Sequence, residues 1–218
     1  MGAMTVIVIG GMISLGKTTV AELLGKELGT KVFYESVEDN PILPLFYTAS
    51  EEEIQAKRYP FLLQLYFLKT RFEAIKQAYK EDNNVLDRSI YEDWYFAKVN
   101  HDLGRISGLE FQIYEGLLDE MMQEIEGLPY KKKPDLMVYL TASFDTVLHR
   151  IGLRGREFEQ DESLVSYYRT LWEGYDNWVK SHYNASDVLV INMDETDVVN
   201  NPEDAERVVQ QVKERLGL

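Results

Sequence analysis

Cysteine is absent from this sequence of 218 residues. Its absence excludes disulfide bonds and metal sites built on thiolates, and it fits a reducing cytoplasm. Long apolar runs are also missing, since no stretch approaches the roughly 20 consecutive apolar residues that span a bilayer. The N-terminus has neither a basic region nor a cleavage pattern, so we expect a cytoplasmic protein without a secretory signal or membrane association.

Positive charge is scarce: 23 Lys and Arg residues stand against 37 Asp and Glu residues, and the net charge is −14. Nucleic-acid polymers select basic faces, so this balance argues against such a partner and leaves a small ligand bound through a local cluster of arginines. With 45% hydrophobic residues the chain can bury one core, and we expect a single domain over residues 1–218. Residues 1–3 could be a cloning remnant, with Met4 as the natural start.

Strand-like and helical patterns alternate along the chain. Apolar, β-rich runs predict strands at residues 5–9, 32–34, 85–86, 136–140 and 188–191. Periodicity and caps predict helices at residues 18–28, 60–80, 92–100, 107–126 and 161–183, a short helix from 50, and helices from 143 and from 201. This alternation favours an α/β fold with a five-stranded parallel sheet flanked by helices. In such sheets ligands bind at the carboxyl ends of the strands, so the residues that follow each strand are site candidates.

Residues 10–19 read Gly-Gly-Met-Ile-Ser-Leu-Gly-Lys-Thr-Thr and follow the first predicted strand. The spacing of the glycines, with Lys17 and Thr18 behind them, is typical of a loop that cradles phosphate with backbone N–H groups and a helix N-terminus. We expect Lys17 to reach the β- and γ-phosphates of a nucleotide and Thr18 to bind Mg²⁺. The nucleotide-binding candidates are Gly11, Met12, Ile13, Ser14, Leu15, Gly16, Lys17, Thr18 and Thr19.

Acidic residues follow the second and third predicted strands. Glu35 could accept a proton from an attacking hydroxyl, although a solvated loop acid is the alternative. Asp87 could hold Mg²⁺ directly or through water, and Arg88 beside it could bind the transferring phosphate and the acceptor oxygen. An ordinary surface pair is the alternative for these two residues.

Three arginines lie within seven residues near the end of the helix that follows the fourth strand. Arg150 and Arg154 are one helical turn apart, and Gly155 lets the chain bend before Arg156. The pattern is typical of a lid, at about residues 150–160, that closes cationic groups over phosphates. A solvated basic helix end is the alternative.

Two polar residues of the long helix are seven positions apart and therefore share a face. Gln64 and Arg71 lie among Phe61, Leu65 and Phe67. Polar groups flanked by apolar walls suit a pocket for a nucleobase, although each residue alone could simply face solvent.

In their order along nearly the whole chain, these residues resemble the deoxynucleoside kinase family, the group of deoxycytidine, deoxyguanosine and deoxyadenosine kinases. Residues 150–160, Arg-Ile-Gly-Leu-Arg-Gly-Arg-Glu-Phe-Glu-Gln, resemble the arginine lid of that family with its trailing Glu-Gln. Asp87-Arg88-Ser89 resembles its acid-Arg-Ser motif, which usually carries Glu. The loop interior, residues 12–15, departs from the commoner Asn-Ile-Gly-small sequence and could reshape the loop slightly.

The resemblance implies a P-loop kinase fold that transfers the γ-phosphoryl group of ATP, with Mg²⁺, to the 5′-hydroxyl of a deoxynucleoside for nucleotide salvage. It implies that Glu35 takes the hydroxyl proton and that Arg88 positions the hydroxyl and the phosphoryl group. Further contacts are implied from Tyr47 and Glu159 to the 3′-hydroxyl, from Gln64, Arg71 and Asp93 to the base, and from Arg150 to the donor adenine. Similarity to the short bacterial deoxyadenosine/deoxyguanosine kinases favours a purine. A homodimer is also implied, with the aromatic-rich helices as candidates for its interface.

Two other functions share parts of the pattern. A nucleoside monophosphate kinase such as thymidylate kinase has the same sheet, phosphate loop and Asp-Arg motif. Its acceptor phosphate requires no proton abstraction, so Glu35 argues against it. An inactive relative with a structural role would normally have lost the lysine, the base or the lid arginines, and all are present here.

Overall fold

The computed structural model of the protein describes residues 5–35, 37, 39–81, 83–129, 131 and 133–218. Residues 1–3, interpreted above as a cloning remnant, lie outside the described residues. The strands are β1 (Val6–Gly11), β2 (Lys31–Phe33), β3 (Asn84–Asp87), β4 (Leu136–Thr141) and β5 (Asp187–Asn192). The helices are α1 (Lys17–Leu28), α2 (Leu43–Thr48), α3 (Glu51–Lys57), α4 (Tyr59–Glu81), α5 (Ile90–Asp102), α6 (Gly108–Gly127), α7 (Phe144–Arg154), α8 (Val165–Ser181) and α9 (Pro202–Leu216).

The strands form one parallel sheet in the order β2-β3-β1-β4-β5, which confirms the predicted α/β architecture. At its centre Ile7 of β1 pairs with Val85 on one side and with Leu136 on the other. Every residue of β1 is buried, so both faces of the sheet are covered there. A strand buried on both faces reads as a continuous apolar run, which is why the sequence identifies it.

The path of the chain brings several strand ends to one crevice. From β1 the chain passes to the edge strand β2, returns to β3 beside β1, and then crosses to β4 on the other side of β1. Parallel strands place their carboxyl ends at the same edge of the sheet, and a ligand crevice forms where the strand order reverses. Gly11, Glu35 and Asp87 all follow or end strands at that edge.

Capping boxes set the start of three of the described helices. A capping box, in which a serine and a glutamate three residues later satisfy each other's backbone N–H groups, opens α3, α5 and α6. The boxes at Ser50 and Ser107 confirm the sequence prediction. The third box, Ser89 with Glu92, starts α5 at Ile90, two residues before the predicted start.

Two further differences from the predicted helices lie close to the crevice. The short helix α2 was not predicted, and it carries Pro44 in its first turn, where the missing N–H group costs nothing. The helix predicted over residues 161–183 begins only at Val165, after the 3₁₀ turns Glu157–Glu159 and Glu162–Leu164. Among the described residues, no helix combines the length and apolarity that crossing a bilayer requires.

Candidate active site

The loop that is predicted to bind phosphate, called the phosphate-binding loop below, joins β1 to α1 through conformations that require glycine. Gly11 has a φ of 138°, and a Cβ atom there would lie 2.5 Å from the carbonyl oxygen of Leu140. Gly16, with a φ of 87°, is the N-cap of α1. Met12 and Leu15 are buried in the core, so the apolar residues of the loop anchor it beside the N-terminus of α1, where an anion would bind.

Ser14 lies at the tip of this loop in an unfavourable conformation. Its φ is 63°, in the left-handed region that costs a residue with a Cβ atom about 1–2 kcal/mol. Its buried hydroxyl makes no hydrogen bond within the described part of the chain. A serine in place of glycine at this position therefore adopts the loop conformation but lowers the free energy of unfolding.

Lys17 is buried at the start of α1. Its Nζ atom donates a hydrogen bond to the carbonyl oxygen of Met12 at 2.9 Å. Burial lowers the pKa of Lys17 to about 7, and the positive charge of Arg88 adds to the effect. A phosphate beside the ammonium would raise this pKa again, because an opposite charge favours the charged form.

Thr18 and Asp87 meet across the crevice. The Thr18 hydroxyl donates a hydrogen bond of 2.6 Å to Oδ2 of Asp87. The other carboxylate oxygen, Oδ1, is buried and has no hydrogen-bond partner among the described residues. Burial raises the pKa of Asp87, and the charge of Glu35 adds to it. A hydroxyl beside an unpartnered carboxylate oxygen fits the oxygen ligands that Mg²⁺ prefers.

A Mg²⁺ ion held by Thr18 and Asp87 would have few ligands from the protein itself. No group of three His, Cys, Asp or Glu side chains with metal-binding geometry occurs among the described residues. This is compatible with Mg²⁺, which usually keeps several waters and takes one or two carboxylates plus substrate phosphates.

Glu35 lies between two arginines. Its Oε1 atom is 2.8 Å from Nε of Arg88 and 3.0 Å from Nη2 of Arg71. Burial would raise the pKa of Glu35, but Arg88, Arg71 and Lys17 outweigh it and lower the pKa to about 2. The group is therefore ionised at neutral pH.

Arg71 and Asp93 form a buried ion pair. Nε of Arg71 donates to Oδ2 of Asp93 at 3.0 Å, and Nη2 donates to Oδ1 at 3.2 Å. Asp93 and Gln64 line the same cleft as Glu35, called the main cleft below, and the side chains of Phe67 and Phe96 form its apolar walls. Arg71 lies behind this wall and also donates to the carbonyl oxygen of Asp87.

The three arginines of the predicted lid, at the end of α7 and just after it, divide into two groups by their contacts. Nε of Arg154 donates to Oε2 of the buried Glu159 at 3.1 Å, and Nη1 of Arg156 is 3.6 Å from Oε1 of the same carboxylate. Both arginines line the main cleft. Arg150 instead donates to the carbonyl oxygens of Leu15 and Met193, each at 3.0 Å, and so ties α7 to the phosphate-binding loop.

The main cleft encloses about 600 Å³, part of it open to solvent. Its lining includes half of the predicted site residues, namely Ile13, Lys17, Glu35, Tyr47, Gln64, Arg88, Asp93, Arg154, Arg156 and Glu159. Arg71, Asp87 and Thr18 are not part of this lining. Arg71 contacts the lining residues Glu35 and Asp93, and Asp87 contacts both Arg71 and Thr18. Arg150 borders a second cavity, with Ser14, Gly16 and Thr19 of the loop.

Several residues in and behind the cleft were not predicted from the sequence, among them Phe46, Tyr167 and Glu92. Phe46 of α2 and Tyr167 of α8 form aromatic walls of the cleft. Glu92 contacts Arg88 and Gly11 from below the site, as described later. Only Glu92 had a signal in the sequence, because Ser89-Ile-Tyr-Glu92 has the spacing of a capping box.

Comparisons with known proteins identify relatives of this chain. A family model described as deoxynucleoside kinase matches residues 7–216. A deoxyguanosine kinase of Lactobacillus acidophilus is 47% identical over 98% of this chain and 91% of its own length. A deoxyadenosine kinase of the same organism is 45% identical over 97% of this chain and 96% of its own length. A solved structure of deoxyadenosine kinase from M. mycoides with bound dATP superposes with a TM-score of 0.78, at 26% identity, over 96% of this chain and 99% of that one.

Proposed function

The chain belongs to the deoxynucleoside kinase family, and from this premise we propose that it transfers the γ-phosphoryl group of ATP to the 5′-hydroxyl of a purine deoxynucleoside, deoxyadenosine or deoxyguanosine or both. The product would be the 5′-monophosphate used in nucleotide salvage. One observation carries the proposal: Glu35, Arg88 and Lys17 line the same cleft under the lid arginines. A carboxylate for the acceptor hydroxyl and cations for the phosphoryl group thus face a common space.

The positive side chains supply the charge that phosphoryl transfer requires. Lys17, Arg88, Arg154 and Arg156 all line the cleft, where negative charge would spread over the transferring group. Groups of this kind contribute about 3–4 kcal/mol each when they are well placed. A lid that covers the site also excludes water, which would otherwise compete with the nucleoside as acceptor.

Glu35 would act as the acceptor of the hydroxyl proton. A carboxylate with a pKa of about 2 is a weak base toward a free alcohol. Its role is therefore to hold the hydroxyl by a hydrogen bond and to take the proton as the new bond to phosphorus forms, when the oxygen becomes acidic. Arg88, 2.8 Å from the same carboxylate, would hold the phosphoryl group beside the hydroxyl.

Thr18 and Asp87 would hold Mg²⁺, which neutralises phosphate charge when it is bound. The unpartnered Oδ1 atom of Asp87 supports this assignment. Because Asp is one methylene shorter than the usual Glu of the family motif, the carboxylate could bind the ion through water.

The walls of the cleft suit a nucleoside. Gln64 and Asp93, the latter fixed by Arg71, would read the base edge between Phe67 and Phe96. Tyr47 and Glu159 would hold the 3′-hydroxyl, and Tyr47 stacks on Phe158 with ring centroids 5.7 Å apart. For the donor, Arg150 and the cavity beside the phosphate-binding loop would accept the adenine.

Support for a purine comes from the relatives named above as deoxyguanosine and deoxyadenosine kinases. The test is a panel of the four deoxynucleosides and of deoxynucleoside monophosphates with Mg·ATP. We expect the highest kcat/KM for deoxyadenosine or deoxyguanosine and no turnover of monophosphates. A preference for thymidine, or turnover of monophosphates alone, would contradict the proposal.

We also propose that the chain is a cytoplasmic homodimer, and that α6 rather than the aromatic-rich α8 forms its interface. The large aromatic residues of α8, including Tyr168, Tyr175 and Trp178, are buried within the chain. On α6, Leu109, Ile113 and Leu117 recur every four residues and are 69%, 48% and 41% exposed. An apolar stripe of this spacing suits a partner helix.

The dimer is tested by light scattering on the wild type, on Ile113→Glu and on Val190→Glu as a control. Val190 is equally exposed, at 54%, but lies on the edge strand β5. We expect the wild type and Val190→Glu to be dimers and Ile113→Glu to be a monomer. A wild-type monomer, or a dimer that survives Ile113→Glu, would rule out this interface.

A further inference from the structure

Glu92 is a fully buried carboxylate that the mechanism above does not use. Its Oε2 atom serves the capping box, accepting from the backbone N–H of Ser89 at 2.9 Å and from its hydroxyl at 3.1 Å. Its Oε1 atom accepts from the backbone N–H of Gly11 at 3.0 Å, from Nη1 of Arg88 at 3.4 Å and from the hydroxyl of Tyr175. One carboxylate therefore links a helix start to the phosphate-binding loop and to the catalytic arginine.

The other capping boxes of the chain show that capping alone does not require this arrangement. Glu53 caps α3 with Oε2 at an exposed position, and within the described residues its carboxylate accepts hydrogen bonds from Ser50 alone. Glu110 caps α6 with Oε2 and pairs with Arg58, outside the cleft lining. The contacts of Glu92 to Gly11 and Arg88 are therefore additional to helix capping.

The backbone of β1 is shaped to approach this carboxylate. A Cβ atom on Gly10 would lie 3.3 Å from the carboxylate atoms of Glu92, which is a tight contact. Arg88 reaches its position through a positive φ of 75°, and its guanidinium lies 4.7 Å from the ring centroid of Phe96. A residue without glycine's freedom keeps such a conformation only where its surroundings fix it.

Tyr175 completes the group from α8. Its hydroxyl donates to Glu92 and lies 3.3 Å from the carbonyl oxygen of Gly11 and 3.4 Å from Nη1 of Arg88. Its ring stacks on Tyr139 with centroids 5.7 Å apart. Burial, with the charge of Glu92, raises the pKa of Tyr175 well above its ordinary value, so the phenol keeps the proton that it donates.

We propose that Glu92 and Tyr175 are positioning residues, which hold the entry of the phosphate-binding loop and the guanidinium of Arg88 in register for phosphoryl transfer. The pair acts through Gly11 and Arg88 and touches neither substrate. This inference rests on the proposed function, because it assigns to Arg88 a role in the transfer step. An error in the placement of the reacting groups lowers the rate of the chemical step more than it lowers binding.

The test compares Tyr175→Phe with Tyr139→Phe. Both variants remove from a buried tyrosine the hydroxyl that donates to a carboxylate, and both keep the ring, but the hydroxyl of Tyr139 donates to Asp176 instead of Glu92. We expect Tyr175→Phe to lower kcat roughly 10-fold with little change in the KM for the nucleoside, and Tyr139→Phe to stay within about 2-fold of the wild type. We expect Glu92→Gln to lower kcat by roughly 100-fold, while Glu53→Gln, the capping-box control, leaves it unchanged.

A second measurement does not depend on turnover. Amide hydrogen exchange of the peptide that contains residues 10–18 should be faster in Tyr175→Phe than in Tyr139→Phe, because the carboxylate of Glu92, which accepts from the N–H of Gly11, is then no longer held by the Tyr175 hydroxyl. Equal kcat values together with equal exchange rates in the two variants would overturn the positioning role. A wild type that phosphorylates no deoxynucleoside would refute the proposed function, and the exchange comparison would still decide whether the pair holds the loop.

Discussion

Replacing Glu35 by Gln removes the negative charge of the side chain with almost no change in its shape. The carboxylate receives Nε of Arg88 at 2.8 Å and Nη2 of Arg71 at 3.0 Å, both on Oε1. The amide oxygen of Gln could accept from the same two donors. The variant therefore keeps the cleft but loses the negative charge and the ability to take a proton.

The structure gives a magnitude for the loss of charge. A pKa lowered from 4.5 to about 2 corresponds to roughly 3 kcal/mol in favour of the ionised group in the folded chain. Because this pKa is lower in the folded than in the unfolded chain, the stabilisation is present above about pH 4.5 and is lost as the pH falls toward 2. At neutral pH, Glu35→Gln should therefore lower the free energy of unfolding by up to about 3 kcal/mol.

Two assays test the substitution. In turnover assays with Mg·ATP, we expect kcat to fall at least ~100-fold, as for loss of a general base, while nucleotide binding persists. In urea unfolding across the acid range, the difference in stability between wild type and variant should shrink as the pH falls. Glu81→Gln, which removes an exposed partner of Lys31, serves as control and should change neither quantity by much. A nearly unchanged kcat, or a stability difference that does not depend on pH, would refute the reasoning.

Two further substitutions test the phosphate-binding loop. Lys17→Met should abolish transfer. In the absence of nucleotide it should nevertheless raise the free energy of unfolding by roughly 1–3 kcal/mol, because burial disfavours the ammonium of Lys17. Urea unfolding measures this change, and a clear loss of stability would contradict the prediction. Ser14→Gly should raise the free energy of unfolding by about 1 kcal/mol, since it removes the left-handed strain and the unpartnered hydroxyl. Ser14→Ala, which keeps the Cβ atom, is the control for the second change, and a larger gain in Ser14→Ala than in Ser14→Gly would argue against strain at this position.

The strands were predictable because each buried strand is a short apolar run between helical segments. The helix boundaries were less predictable where capping decides them. α5 begins at Ile90 because Ser89 and Glu92 satisfy each other's N–H groups, a local pattern that hydrophobic periodicity does not report. α2 was missed because six residues are too few to show a helical period.

The site residues that directly follow a strand could be predicted from the sequence. Glu35, Asp87 and Arg88 meet because parallel strands end at a common edge. The lid was less predictable. Arg150 and Arg154 share a helix face, but one guanidinium reaches Leu15 and the other reaches Glu159. The spacing of the arginines along the sequence determines which face of the helix carries them. It does not determine which acceptor the guanidinium at the end of each long side chain contacts.

The arginines that line the cleft already have carboxylate partners: Arg88 has Glu35, and Arg154 and Arg156 share Glu159. An incoming anion must therefore compete with an internal counter-ion for each guanidinium. Small anions such as sulfate or free orthophosphate offer few contacts with which to win that exchange. Locally balanced charge of this kind selects for ligands large enough to engage several parts of the cleft at once.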